Sequence, residues 1–314
     1  MMPARPAQAA AALHDGSEGE HGIFTVHLSG PVDIPTSLEL LRRSGDDLID
    51  RWDGQTLLRT HPVAGRAVAY ACRATGSLEY PAFCVTVEDP TARQAIEAAV
   101  REMFIPAPPE FAALLETDAV LARLNGAYPG LRQVRQYDLF AALVRCISAQ
   151  QVNLRWAVTT RRRLAEAFGD LHQVGEQQVY RLNPQRVAAA SVGEIRALQF
   201  TTRKAEYLIA TAEAIASGRL DMATLAALPD EEVITRLSQL RGIGRWTAEW
   251  ILARALGRPA VVAGDLGVRK AIGQAYLSEP LPPEAEVRRA TSHWGPSAGV
   301  AQVLLLHSLS QPLG

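Results

Sequence analysis

The stretch Leu240-Arg241-Gly242-Ile243-Gly244-Arg245-Trp246-Thr247-Ala248, with Asp265 21 positions beyond its second glycine, joins residues suited to holding an anion to a carboxylate suited to chemistry. Glycines have no Cβ, so they can take positive φ in a tight reversal and let a phosphate approach the backbone closely. Asp230 to Gln239 reads as a short helix with Val233, Ile234 and Leu237 on one face, capped by Asp230 after Pro229. Trp246 to Leu256 reads as a second helix. Its first N–H groups, at the positive end of the helix dipole, would meet a phosphate around Gly242, Ile243, Gly244, Arg245 and Thr247. A Gly-x-Gly turn is also how any helical hairpin reverses, so the motif alone leaves both readings open. Asp265 stands just before a helix expected over Leu266 to Tyr276, where an aspartate is an ordinary N-cap. The same carboxylate at a cleft mouth would stabilise a cationic reaction centre or position a water.

The elements that must hold these residues fall into two parts. Ile23 to Leu28, Gln55 to Arg59, Ala67 to Arg73 and Ala82 to Glu88 are short alternating or β-branched runs between Gly, Pro and Asp signals, and read as strands. Leu38 to Arg43 and Ala92 to Phe104 read as helices, so an antiparallel sheet with helices on one face is expected. Ile105-Pro106-Ala107-Pro108-Pro109 marks a boundary, because clustered prolines cannot continue a helix. Beyond it the pattern is helical: Pro109 to Leu124, Asp138 to Gln150, Leu154 to Phe168, Arg203 to Ser217, the hairpin pair, Glu284 to His293 and Ala298 to Ser308. The organisation expected is a flexible tail over 1–21, an antiparallel α+β domain over 22–105 and a helical domain over 106–314. A hydrophobic content of 48% in 314 residues suits a globular protein with two cores.

Charge divides with the same boundary. Residues 1–110 carry 9 Lys+Arg against 15 Asp+Glu, whereas residues 111–314 carry 23 against 18. Arg155 with Arg161, Arg162 and Arg163, and the group Arg241, Arg245, Arg254 and Arg258, would neutralise backbone phosphates; solvated helix faces are the competing reading, favoured for Arg161 to Arg163, whereas Arg241 and Arg245 flank the hairpin and are the better phosphate candidates. The three cysteines, Cys72, Cys84 and Cys146, include no close pair, so neither a structural zinc nor a four-cysteine iron–sulfur cluster is expected. The seven histidines show no metal-ligand spacing. No stretch approaches a membrane span and the first 21 residues lack the order of a secretory signal, so a cytoplasmic protein is expected.

The string Leu-x-Gly-Ile-Gly-x-x-Thr-Ala, the loop Gly257-Arg258-Pro259-Ala260-Val261-Val262-Ala263-Gly264 and Asp265 resemble, in that order, the helix-hairpin-helix, glycine/proline-rich loop and aspartate of the HhH-GPD DNA glycosylase superfamily. The layout is similar to the AlkA-type 3-methyladenine DNA glycosylase II branch, as are Ile147-Ser148-Ala149-Gln150-Gln151 and Lys204-Ala205-Glu206-Tyr207-Leu208. The resemblance implies an α+β protein with a small TATA-binding-protein-like antiparallel sheet domain, followed by an all-α helix-hairpin-helix glycosylase domain. It implies a hydrolase of base excision repair that flips alkylated bases, 3-methyladenine and 7-methylguanine among them, out of double-stranded DNA and removes them. A nucleoid-associated monomer is implied, needing no cofactor, with Na+ or K+ held by the backbone of Ser238, Leu240 and Ile243.

Carried over residue by residue, the resemblance makes Asp265 catalytic and Gln151 the plug that fills the gap left by the flipped base. It places Trp246 and Trp250 at the base pocket and Ser297, after Trp294-Gly295-Pro296, where the family has a tryptophan wall. For Gln151 an ordinary helix-end residue, and for Trp250 core packing, are the competing readings. Bifunctional members carry a lysine where Trp246 stands, and the chain's two lysines, Lys204 and Lys270, lie elsewhere, which favours a monofunctional enzyme using water. A noncatalytic DNA-damage-binding protein and a glycosylase/lyase with a displaced lysine are the alternatives.

Overall fold

The computed structural model describes residues 22–42 and 44–310; the tail expected over 1–21 lies outside them. Five strands, β1 (Ile23–His27), β2 (Arg51–Trp52), β3 (Thr56–Val63), β4 (Arg66–Gly76) and β5 (Pro81–Val87), form an antiparallel sheet ordered β1-β5-β4-β3-β2. Alternation decides which face each residue takes: Val68, Tyr70 and Cys72 of β4 turn to the side covered by helices Ile34–Arg42 and Arg93–Arg101, where Leu38, Ile96 and Val100 are buried.

The short strands β6 (Phe104–Ile105) and β7 (Gln133–Val134) pair at the crossing from the sheet to the helices, and Phe104 and Val134 belong to the sheet's own core. The region expected to be all-α also carries an antiparallel hairpin, β8 (Gly169–Val174) and β9 (Gln177–Leu182). Its Val174 and Val179 pack on Leu58 and Ala69 from the face of the sheet opposite the two helices. The sheet is therefore covered on both sides, and the hairpin is the element that seals it to the helical part.

Charged groups cross the same seam. Asp50 accepts from Arg59 Nε of β3 at 2.6 Å and from Arg145 Nη2 at 2.9 Å, while Asp47 accepts from Arg161 Nε at 2.9 Å. Burial alone would raise the Asp47 carboxyl, but the Arg145 and Arg161 guanidiniums and the hydrogen bonds it accepts hold it below the usual carboxylate range. Arg161, read from sequence as a phosphate contact or solvated charge, is 5% exposed and structural.

Most expected helices form with small shifts of boundary, some of them set by a cap. Asp118 accepts from Leu121 N and so divides Pro109 to Leu124 into Phe111–Thr117 and Ala119–Ala127. Asn153 starts Leu154–Phe168 by accepting from Trp156 N at 2.9 Å. The cores around Leu139–Ala149 and around Ala298–Ser308 form the two halves of the helical part, and the segment 261–265 runs between the hairpin helix and the second half.

Candidate active site

The hairpin is built from Asp230–Ser238 and Arg245–Arg254, joined by a turn in which Ile243 N donates to Leu240 O at 3.0 Å. Gly242 has φ +85 and lies against the Tyr207 ring, where a Cβ would sit 2.1 Å from Cδ2. Gly244 differs: its φ of −110 is open to any residue, and nothing lies within 4 Å of where its Cβ would be. Open space above an extended backbone leads directly into the first N–H groups of Arg245–Arg254, which have no partner within their helix. This is the geometry of an anion site at a helix N-terminus.

Asp265 lies at the start of Leu266–Ile272, and both its oxygens are engaged. Oδ1 accepts from Gly267 N at 2.8 Å and Val268 N at 3.1 Å, the N-cap expected from sequence. Oδ2 accepts from Trp246 Nε1 at 3.1 Å, so the indole of the hairpin helix orients the carboxylate. Trp246, Trp250 and Arg254 follow at helical spacing of four along one face. Trp250 packs partly against the core, and the Arg254 guanidinium lies 5.1 Å from its ring centroid. Cys146, buried on Leu139–Ala149, faces this group: burial pushes its thiol well up, against the pull of Arg254. An oriented carboxylate beside aromatic faces thus lies near a turn whose helix N–H groups are open to an anion.

The turn carrying Gln151 approaches the hairpin from the other side. Gln150 Nε2 donates to Gly242 O at 2.9 Å, and Lys204 Nζ donates to Ser148 O at 2.8 Å. Gln151 itself is exposed with φ +56, a left-handed conformation uncommon for a residue with a side chain and of order 1–3 kcal/mol in cost. The two ties just before it brace that turn, which joins the helices Leu139–Ala149 and Leu154–Phe168.

Residues 144–297, which include the Gln151 turn, the hairpin and Asp265, match the HhH-GPD superfamily of base excision DNA repair proteins. Those residues form an HhH-GPD region. DNA-3-methyladenine glycosylase 2 of Escherichia coli is 31% identical over 193 residues, 60% of this chain and 64% of that protein. DNA-3-methyladenine glycosylase of Bacillus subtilis is 29% identical over 186 residues, 59% of this chain and 61% of that protein. The chain thus matches less than two thirds of the length of either relative. In fold, the 3-methyladenine DNA glycosylase of Archaeoglobus fulgidus superposes with a TM-score of 0.81 over 93% of this chain and 100% of that one, at 22% identity. The α+β layout, sheet first and HhH-GPD region second, is shared.

Within the HhH-GPD region several residues sit differently from the sequence reading. Ile243 is buried and its N–H is taken by Leu240, and Thr247 is 1% exposed, so neither side chain reaches a phosphate. Arg245 is held by Glu231 and Glu249, Arg241 by Glu206 and Arg258 by Asp230, so their charge is neutralised within the protein. Ser297 is 1% exposed at the head of Ala298–Ser308; it presents no surface on which a base could stack. Neither lysine supplies an obvious nucleophile: Lys204 is tied to Ser148 O, its amine lowered by burial, and Lys270 is exposed on the far turn of its helix. Residues not singled out from sequence also gather here. Leu266, beside Asp265, and Leu154, past the Gln151 turn, are 54% and 56% exposed, which large aliphatic side chains on a working face would be. The Leu-after-Asp265 and Leu-after-Asn153 positions were each legible as helix starts, not as exposed apolar contacts.

Proposed function

We propose that this chain is a monofunctional DNA N-glycosylase that binds double-stranded DNA, flips out an alkylated base and hydrolyses its bond to deoxyribose. The observation that carries the reading is Asp265, with Oδ2 oriented by Trp246 Nε1 where a lyase would need a lysine. Phosphate binding at Gly244 and the amides that follow would fix the strand without reading sequence, and Gln151 would occupy the space left in the stack. As the C1′–N bond breaks, its electron pair leaves with the base and positive charge grows on the sugar. Asp265 faces that charge; water then adds to C1′ and gives up its proton to the carboxylate and on to solvent. A base already cationic from alkylation departs neutral and needs no acid partner, which suits a site where none stands beside Asp265.

The carbonyls of Ser238, Leu240 and Ile243 are neutral oxygen donors, and among the described residues no cluster of His, Cys, Asp or Glu could hold a metal ion. That donor chemistry fits a monovalent cation, which would brace the hairpin turn and take no part in bond breaking. Among the described residues no helix is long and apolar enough to cross a membrane.

Release of free base from methylated duplex DNA by the purified chain tests the reading. Base release with an unbroken strand, lost in Asp265→Asn, is expected. Duplex binding without any release would identify a damage-binding protein, and strand nicking without added base a lyase.

A further inference from the structure

Arg254 is out of place for a bystander. Its Nε is buried with no hydrogen-bond partner, and the guanidinium forms no ion pair among the described residues, whereas Arg245, Arg258 and Arg288 each hold a carboxylate. It stacks on Trp250, two helical turns along the face that begins with the Asp265-binding Trp246. Desolvation lowers its pKa while the charge of Asp265 opposes that shift, so the two charges sense each other without contact. A buried donor left without acceptor is destabilising, and persists here beside the group assigned to the reaction. Guanidinium donors in that position complement a planar ligand that lies on the Trp250 ring and offers a ring carbonyl.

We propose that Arg254 is the base-reading residue of this site, donating to a ring carbonyl of the flipped base, and that the enzyme favours carbonyl-bearing bases over bases that lack one. The proposal rests on the glycosylase reading and adds to it a substrate class. N7-alkylated guanine presents O6 and alkylated pyrimidines present O2, whereas 3-methyladenine has no carbonyl; both methylated purines are cationic in the nucleotide, so repulsion from the guanidinium is common to them and the hydrogen bond to O6 is what separates them. The same contact assists cleavage of neutral bases. When the C1′–N pair leaves with a neutral base, the departing ring is anionic until solvent protonates it, and that charge delocalises onto the oxygen that Arg254 contacts.

The experiment compares the full chain with Arg254→Met and Arg254→Lys on one sample of methylated duplex DNA, reading the ratio of 7-methylguanine to 3-methyladenine released. Removal of a charge-assisted hydrogen bond that distinguishes two ligands predicts a fall in that ratio of roughly 10- to 100-fold for Arg254→Met. The lysine, which keeps charge but loses the planar fork, should fall between. A parallel arm measures tryptophan fluorescence quenching by free hypoxanthine and free adenine, one with the carbonyl and one without. The wild type should prefer hypoxanthine, and Arg254→Met should lose the preference. A uniform loss on both lesions, an unchanged ratio, or no preference between the free bases overturns the proposal. If the wild type releases no base at all, the glycosylase reading fails while the free-base arm still decides Arg254; if Arg254→Met does not fold, Arg254→Lys decides it in both arms.

Discussion

Replacing Asp265 by asparagine separates the cap from the proposed chemistry, because the two oxygens accept from different donors. Oδ1 holds the cap through Gly267 N and Val268 N, and an asparagine oxygen can keep both bonds. The amide nitrogen must then replace Oδ2 and meets Trp246 Nε1, a second donor, at a separation near 3.1 Å. A charge-assisted bond of about 1.5–3 kcal/mol gives way to two opposed donors, so Asp265→Asn should lose about 2 kcal/mol of stability even though the cap survives. Trp246→Phe removes the donor and keeps most of the ring. Added to Asp265→Asn, it should recover about 1 kcal/mol, since it relieves the conflict there. Urea unfolding of the wild type, both single variants and the double variant closes this cycle. Catalysis should follow charge rather than stability: base release falls by about 10²- to 10³-fold in the single and the double variant that carry Asp265→Asn, the scale of one lost electrostatic contact to a developing charge. If the double variant is no more stable than Asp265→Asn, Trp246 does not orient the carboxylate. If folded Asp265→Asn turns over within a few-fold of wild type, Asp265 is a cap and nothing more.

Further outcomes are expected elsewhere in the chain. Gly244→Val should change stability by less than about 0.5 kcal/mol, since its backbone is extended and its Cβ position open, yet weaken binding to damaged and undamaged duplexes alike in a titration. Gly242→Ala, forced to φ +85 against Tyr207, should lose about 1–3 kcal/mol in thermal unfolding before any effect on DNA is considered. Asp47→Asn strips the counter-charge from Arg161 and one partner from Arg145, and a loss of about 3–5 kcal/mol in urea unfolding would mark the seam between sheet and helices as a cooperative unit. His61, pushed down to about 4 by burial and by the neighbouring Arg59, is neutral in the folded protein. The unfolded chain then takes up the proton first as pH falls, so this contribution is intact above about 6.5 and is lost between there and about 4; His61→Phe should flatten the acid limb of a stability–pH curve.

What was legible in the sequence was whatever depends on local pattern. Alternation in Ala67 to Arg73 and Ala82 to Glu88 located two central strands, and Asp265 before Leu266 located both a helix start and a carboxylate with a free direction. The hairpin β8–β9 escaped because it buries only Gly169, Val174, Val179 and Leu182 in a polar stretch, although Gly175 with φ +59 at its two-residue turn carried the signal of a tight reversal. The arginines escaped for another reason. A guanidinium in sequence is a unit of charge, and only packing tells that Arg161 faces Asp47, that Arg245 is held by two glutamates, or that Arg254 faces none. Ser297 shows the converse limit: alignment fixes a position along the chain, while the helix it begins turns it into the interior.

Gln150 spans from the Gln151 turn to the Gly242 carbonyl, and Ser148, in the last turn of the preceding helix, is held by Arg161 and Lys204. The consequence is a caliper. With the proposed phosphate seat at Gly244 as one jaw and the Gln151 tip as the other, the span between them is set by hydrogen bonds inside the protein and would not be set by a duplex. On the proposed reading a lesion would reach Asp265 only when an intact strand spans both jaws, so a damaged base close to a strand end or nick would offer one jaw nothing to close on. Cutting the strut with Gln150→Ala should loosen this requirement while lowering the rate at interior lesions, and a protein insensitive to end distance in both forms would mean the jaws close independently.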